Sequence, residues 1–267
     1  MITKILRILQ QEQFTRHPVR AAVQLGRRLQ WHLHWKFNPG TPVYQDLPGG
    51  LRIRLGHTST SYGMFLGRGY CDREAVEIIG RHLGPGSVML DCGAHIGEFT
   101  LAGAAAIGRD AEIHCFEPDP RNFAILKENV RLNHLDRVVV NPCAVGEQDG
   151  EVTFHLGLDP TASSVGMESH TRTIDDITVR VRNLSDYANE HELTRVDFLK
   201  IDVEGAEFAA VKGAADLLRK HKPGLLFIEC DDHDNEIPVT EFLTNLGYRV
   251  VRRGHGGIHP HLFAYLN

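Results

Sequence analysis

Short apolar runs alternate along this chain with longer amphipathic stretches. Residues 87–92, 111–116, 138–141, 196–203 and 224–230 predict buried strands. Residues 97–107, 120–133 and 206–221 read as the intervening helices. Another helix, 72–83, is stopped by Gly84-Pro85-Gly86. Asp119 as N-cap and Pro120 at the first helical position mark one helix start clearly. Residues 51–55 suggest a β-rich lead-in. Residues 151–156 and 178–181 suggest additional strands, the first followed by the Gly/Ser-rich stretch 157–166. A helix over 236–246 and a strand pair, 248–252 and 261–266, close the chain. Alternating strand and helix predicts a parallel sheet covered on both faces. Ligands of such sheets sit beyond the carboxyl ends of the strands.

Composition narrows the picture. A chain of 267 residues with 42% hydrophobic content can bury one α/β core with an N-terminal extension to spare. The expected division is an extension of residues 1–50 and a domain of residues 51–267. A net charge of −5 argues against nucleic acid as an electrostatic partner. The five cysteines show no C-x-x-C spacing, and four lie in or just after apolar runs, as buried thiols of a reducing compartment would. No run approaches the roughly 18–20 apolar residues that cross a bilayer, and no secretory signal is visible. The expectation is a cytoplasmic protein. The charge is uneven, however: residues 1–36 carry Lys4, Arg7, Arg16, Arg20, Arg27, Arg28 and Lys36 against Glu12 alone. Ile5, Leu6, Leu9 and Phe14, then Val19, Val23, Leu25, Leu29 and Trp31, give an amphipathic helical pattern that Pro18 interrupts. Three readings stay open for it: a helix docked on the domain or on a second subunit, a membrane-surface helix, and a solvated basic arm.

Chemistry concentrates at Val88-Met-Leu-Asp-Cys-Gly-Ala-His-Ile-Gly-Glu-Phe-Thr100, where an apolar strand runs through Asp91 into a turn bracketed by Gly93 and Gly97. A second strand ends at Glu117, twenty residues beyond Gly97, the spacing at which a carboxylate grips a ribose in nucleotide-binding βαβ units. Dinucleotide sites need G-x-G-x-x-G, but here His95 stands where the second glycine would admit a pyrophosphate. A phosphate-free adenosine cofactor, S-adenosyl-L-methionine, fits better, and a nicotinamide oxidoreductase is disfavoured. Asp91 then orients the turn or binds the ligand's ammonium group, and Thr100 near the helix start helps hold its carboxylate. Pro118 and Ala144 offer small apolar walls to adenine.

A third marker is Phe198-Leu-Lys-Ile-Asp-Val-Glu-Gly-Ala-Glu207, an apolar strand whose exit carries Asp202 and Glu204. With Leu90–Thr100, Phe116-Glu-Pro-Asp-Pro-Arg-Asn-Phe123, Asn129, Leu132-Asn133, Ala144-Val-Gly146, Lys200–Glu207 and Ile228-Glu229, the chain resembles the FkbM family of class I S-adenosylmethionine-dependent methyltransferases. The likeness spans about residues 65–265. It implies a seven-stranded, mostly parallel sheet with an antiparallel last strand and helices on both faces. It also implies methyl transfer to a hydroxyl oxygen of a small molecule, commonly a sugar or polyketide-type natural product. One departure is His95, where the family usually carries Asn. The change keeps a hydrogen-bonding side chain there, but either alters contact with the methionine end or brings an imidazole near the methyl group. The resemblance further places Gly93, Ala94, His95, Gly97, Glu117 and Asp202 around the cofactor.

Hydroxyl methylation requires alignment, exclusion of water and removal of one proton. Asp202 is the first candidate for organising that end, beside Glu204 and Glu229. Such carboxylates suit Mg²⁺, which some related sugar O-methyltransferases use. Tyr62 and Tyr70 are candidates for an acceptor lid, and Ser163 and Ser164 for polyol contacts. His57, His170, His233, His255 and His259 lie in loops where a base could stand, though among sixteen histidines any one is more ordinarily a surface residue. The His255, His259, His261 group lacks a zinc pattern. The alternative to an enzyme is a non-catalytic S-adenosylmethionine-binding scaffold of the same fold.

Overall fold

A computed structural model describes residues 18–165, 173–230, 233–253 and 261–266. The described chain begins with helix α1 (Pro18–Phe37), a hairpin of β1 (Val43–Asp46) and β2 (Arg52–Leu55), and helices α2 (Ser59–Gly67) and α3 (Arg73–His82). Two strand–helix–strand units follow: β3 (Val88–Cys92), α4 (Glu98–Ile107), β4 (Glu112–Phe116), α5 (Pro120–Leu132) and β5 (Val138–Asn141). Next come β6 (Ala144–Val145), β7 (Gly150–Gly157), β8 (Ser164–Val165) and β9 (Thr173–Arg182). The chain continues through α6 (Leu184–Glu190), β10 (Phe198–Ile201), α7 (Glu207–Gly213), α8 (Ala215–His221) and β11 (Leu225–Glu229). It closes with α9 (His233–Asn245), β12 (Tyr248–Arg253) and β13 (His261–Leu266).

Seven strands form the main sheet in the order β12-β13-β11-β10-β3-β4-β5. β13 runs antiparallel to both β11 and β12, and β3, β4, β5, β10 and β11 pair in parallel. Every residue of β3 is buried, as expected of a central strand covered by helices on both faces. α4 is apolar nearly all round and almost wholly buried, so its packing rather than its helix propensity holds it. α5 starts where Asp119 accepts the Arg121 N–H, a cap contributing about 1 kcal/mol. Register brings charged groups together at the strand ends: Lys200 lies opposite Asp91, and His261 opposite Glu229.

Several elements depart from the sequence expectation. The extra strands form a separate sheet, β6-β9-β7-β8, in which β9 extends over ten residues because it pairs along all of β7. Residues 206–221 are two helices that share Ala214 as a cap, where Gly213 seats against the backbone of Gly146. α2 and α6 form where the sequence pattern predicts no helix. The expected boundary after residue 50 falls in the turn between the paired strands β1 and β2. Asn129 and Asn133 of α5 fasten this hairpin by bonds to the backbone of Arg54 and Arg52.

α1 packs through Trp31, whose ring meets Phe65 at 5.2 Å and Tyr62 at 5.8 Å. Its other face exposes Val19, Val23, Leu29, Leu33 and Phe37. Ile5, Leu6, Leu9 and Phe14 lie outside the described residues. Among the described residues no helix is long and apolar enough to cross a membrane, and the five cysteines form no disulfide.

Candidate active site

A cavity of about 440 Å³ lies at the carboxyl ends of β3, β4, β10 and β11, within the usual range for small-molecule sites. Its base is the turn between β3 and α4. Gly93 and Ala94 donate their N–H groups to the Phe116 carbonyl, at 2.9 and 3.0 Å. Gly93 has φ +74°, and a Cβ there would stand 1.7 Å from the Asp202 carbonyl oxygen. Only glycine permits the two loops to approach this closely. His95 and Glu204 hold left-handed conformations at φ 52° and 54°, uncommon for residues with side chains. Such backbone conformations concentrate at ligand sites.

Glu117 projects into the cavity from the end of β4. One carboxylate oxygen accepts the His95 N–H at 2.7 Å, the other the Asp119 N–H at 2.9 Å. Burial pushes its pKa up to about 7 despite these bonds. Each oxygen keeps a further lone pair for an incoming hydroxyl. Phe116, Pro118, Ala144 and Phe154 form an apolar wall beside it. The His95 Nε2 is buried with no hydrogen-bond partner. Its pKa is lowered to about 4, by burial first and by nearby Lys200 second, so the ring is neutral at pH 7.

Beneath the turn lies a residue that motif reading passed over. Lys200 is buried inside β10, donates to the Gly93 carbonyl at 2.6 Å, and lies 3.1 Å from Asp202 and 3.7 Å from Asp91. Burial alone would lower its pKa, but Asp202 and Asp91 outweigh that and raise it. The signal was a lone lysine in an otherwise apolar strand, since a buried cation needs partners.

Cys71, Asp72, Glu98, Glu229 and His261 also line the cavity, and the strand order β11-β10-β3-β4 sets Glu229 at the far side from Glu117. Glu98 accepts the backbone N–H groups of Cys71 and Asp72, and burial lifts its pKa to about 7. Asp72 caps α3 through Ala75 N–H. His261 stands between Asp72, 3.3 Å from its Nδ1, and Glu229, 3.5 Å from its Nε2.

Of the expected site residues, Gly93, Ala94, His95, Glu117, Pro118, Ala144, Ser163, Asp202, Glu204 and Glu229 line the cavity. Asp91, Gly97, Thr100, Tyr62, Tyr70 and Ser164 are not among its lining residues. Asp91 is completely buried and accepts from the Thr100 hydroxyl at 2.6 Å, so both side chains support the turn from behind. Gly97 is the left-handed N-cap of α4. Tyr62 packs against Trp31, and the buried Tyr70 hydroxyl has no hydrogen-bond partner. The Ser163 hydroxyl donates to Asp119 and accepts from Arg121 and Gly157, which already uses its capacity. Among the suggested bases, His57 stacks on Trp35, whereas His170, His255 and His259 lie outside the described residues, as does the side chain of His233. Among the described residues no group of three or more histidine, cysteine or carboxylate side chains is arranged to hold a metal ion. Of the three carboxylates considered for Mg²⁺, Asp202 is paired with Lys200 and Glu229 with His261.

A family model described as "Methyltransferase FkbM domain" matches residues 91–250. The 31-O-demethyl-FK506 methyltransferase FkbM of Streptomyces tacrolimicus is 29% identical over 238 residues, 79% of this chain and 86% of that one. Methyltransferase 1 of Beauveria bassiana is 27% identical over 67% of this chain and 79% of its own length. The 2-O-methyltransferase NoeI of Sinorhizobium fredii is 27% identical over 60% of this chain and 70% of its own. Among solved structures, a methyltransferase FkbM from Methylobacillus flagellatus superposes with a TM-score of 0.53 at 23% identity. That match covers 77% of this chain but only 54% of the longer solved chain, and it bears on fold alone. The family match spans well over half of the sequence and includes the glycine turn, Glu117 and the Lys200–Glu207 segment: this chain belongs to the FkbM methyltransferase family.

Proposed function

We propose that the protein is an S-adenosylmethionine-dependent O-methyltransferase that methylates a hydroxyl of a small polyhydroxylated acceptor, a sugar or a polyketide-type natural product. The observation that carries this reading is a single cavity with two unlike ends. One joins the glycine turn to Glu117 and an apolar wall. The other carries Glu98, Glu229 and His261. The named relatives that methylate a 2-oxygen or a 31-oxygen support an oxygen acceptor.

The chain's residues fit S-adenosylmethionine. Glu117 would accept the ribose hydroxyls, and Pro118 and Ala144 would flank the adenine. The turn at Gly93–His95, together with Asp202, would hold the amino-acid end. When bound, the cofactor supplies an electrophilic methyl group on a sulfonium. The protein then aligns the acceptor oxygen, excludes water and takes the hydroxyl proton. Lys200 keeps the turn and Asp202 in register by bonding the Gly93 carbonyl while neutralising both aspartates.

The test is calorimetric titration with S-adenosylmethionine and with NAD, followed by mass spectrometry of methyl glycosides and 31-O-demethyl-FK506 after incubation. Tight binding of the first ligand alone and a methyl ether product are expected. Binding without transfer to any acceptor would favour a scaffold, and binding of NAD instead would end the proposal.

A further inference from the structure

Residues from three distant parts of the chain converge on the cavity wall away from the glycine turn. His261 enters from β13, Glu229 from the end of β11, and Asp72 from the cap of α3. The antiparallel insertion of β13 beside β11 sets Glu229 directly opposite His261. His261 is held in place further by the Phe227 ring, whose centroid lies 5.3 Å from its own at 83°. Asp72 accepts the Ala75 N–H with one oxygen, fixing the carboxylate, and its other oxygen lies 3.3 Å from His261 Nδ1, an ion-pair contact without hydrogen-bond geometry. Assigning the neutral ring's proton to Nδ1, on the side of the nearer carboxylate, leaves Nε2 as the proton-accepting nitrogen. This follows the orienting logic of a carboxylate behind a catalytic imidazole. The 3.5 Å between Nε2 and Glu229 exceeds a close charge-assisted bond, so one acceptor hydroxyl can donate to Nε2 and a neighbouring hydroxyl to Glu229.

We infer that His261 is the catalytic base of the methyl transfer, oriented by Asp72, with Glu229 beside it as a binding partner for a second, adjacent hydroxyl of the acceptor. The inference rests on the O-methyltransferase reading above and adds to it the base and a preference for vicinal diols. The acceptor oxygen bonds to the methyl carbon as the carbon–sulfur bond breaks, its electron pair remaining on sulfur. The hydroxyl proton passes to Nε2 and leaves to solvent after product release.

The charged surroundings give the step a pH signature. Glu229 and Asp72 flank the ring, and Asp202 lies farther off, while cationic Lys200 sits behind Asp202. Arg253, the cross-strand neighbour on β12, is turned to Glu74. The Glu229 carboxylate first, with Asp72 and Asp202 adding to it, favours the protonated ring and raises the imidazole pKa above its usual value, more than burial lowers it. The base works unprotonated, so kcat should climb with pH through an apparent pKa above 6.5.

The experiment uses the full chain with S-adenosylmethionine and two probe acceptors, 31-O-demethyl-FK506 and a set of methyl hexopyranosides, plus ring-nitrogen NMR of His261. His261→Asn is expected to lower kcat by about a hundredfold or more and to abolish the pH-dependent rise. Its affinity for S-adenosylmethionine should stay within about threefold of wild type. Asp72→Asn keeps the helix cap but removes the orienting charge. It should move both the NMR titration of His261 and the kinetic rise to lower pH. Retention of kcat within about threefold in His261→Asn, or of the pH-dependent rise, overturns the inference. So does loss of that rise in Glu229→Gln but not in His261→Asn, which would make Glu229 the base. Wild-type protein that binds S-adenosylmethionine yet methylates no probe speaks against the O-methyltransferase reading itself.

Discussion

The two ends of the cavity are built from different materials. The glycine-turn end is largely backbone: a left-handed Gly93, N–H groups closed onto Phe116, and Glu117 bonded to two further amides. The opposite end is side chains delivered by register, with His261 and Asp72 separated by 189 positions and joined only through the fold. Backbone sites tolerate little change, because a loop that must pass close to another has no room for a Cβ. Side-chain sites can exchange residues on fixed strands, which would suit the acceptor end proposed above. Lys200 links the two, clamping the turn from below while pairing with Asp202 at its edge.

That contrast fails if Lys200 is dispensable. Lys200→Met should destabilise the fold by about 3–5 kcal/mol, because it leaves Asp91 and Asp202 without their cation; urea unfolding of the ligand-free protein measures it. Gly93→Ala should cost on the order of 3 kcal/mol, since the new Cβ meets the Asp202 carbonyl in a strained conformation. It should also abolish S-adenosylmethionine binding by calorimetry. Normal binding by this variant would show that the turn is not the cofactor end. Glu117→Gln should weaken binding by roughly tenfold to a hundredfold while leaving the fold intact, as expected for lost hydrogen bonds to a charged group.

A pH series sharpens the same point. Burial holds Glu117 near a pKa of about 7, and a ribose donating hydrogen bonds favours the ionised form. Affinity for S-adenosylmethionine should therefore improve as pH rises through 7 and then level off, a dependence that Glu117→Gln should remove. The smallest effect belongs to His95. The His95 main-chain N–H donates to Glu117 while the ring leaves Nε2 without a partner, so His95→Asn should alter stability by less than about 1 kcal/mol. A large loss of affinity in that variant would give the imidazole a direct role at the methionine end.

The same contrast explains what the sequence revealed. Gly93, Glu117 and Asp202 were legible as cavity-lining residues because each sits at a strand end inside a local motif, and one strand–helix–strand unit imposes the spacing of the first two. The parallel sheet was legible in the alternation of buried runs and helices, whereas its seven strands and antiparallel last strand followed only from the family resemblance. His261 was not, because its meaning depends on β13 lying antiparallel beside β11, a pairing that no local spacing records. Lys200 was visible inside its apolar strand but gained a role only when the sheet set Asp91 alongside it. Ser163 looked like a polyol contact in sequence, whereas its hydroxyl is committed to Asp119, Arg121 and Gly157.

The central claim is that one cavity binds S-adenosylmethionine at the Glu117 end and passes its methyl group to a hydroxyl at the His261 end. Incubating the protein with isotopically methyl-labelled S-adenosylmethionine and the probe acceptors, then locating the label by NMR, tests it directly. The account predicts a labelled methyl ether on one hydroxyl of a vicinal pair, formed by wild type and lost in Glu117→Gln at subsaturating cofactor. Label on nitrogen or carbon, or product formed equally well by Glu117→Gln at that concentration, would contradict it.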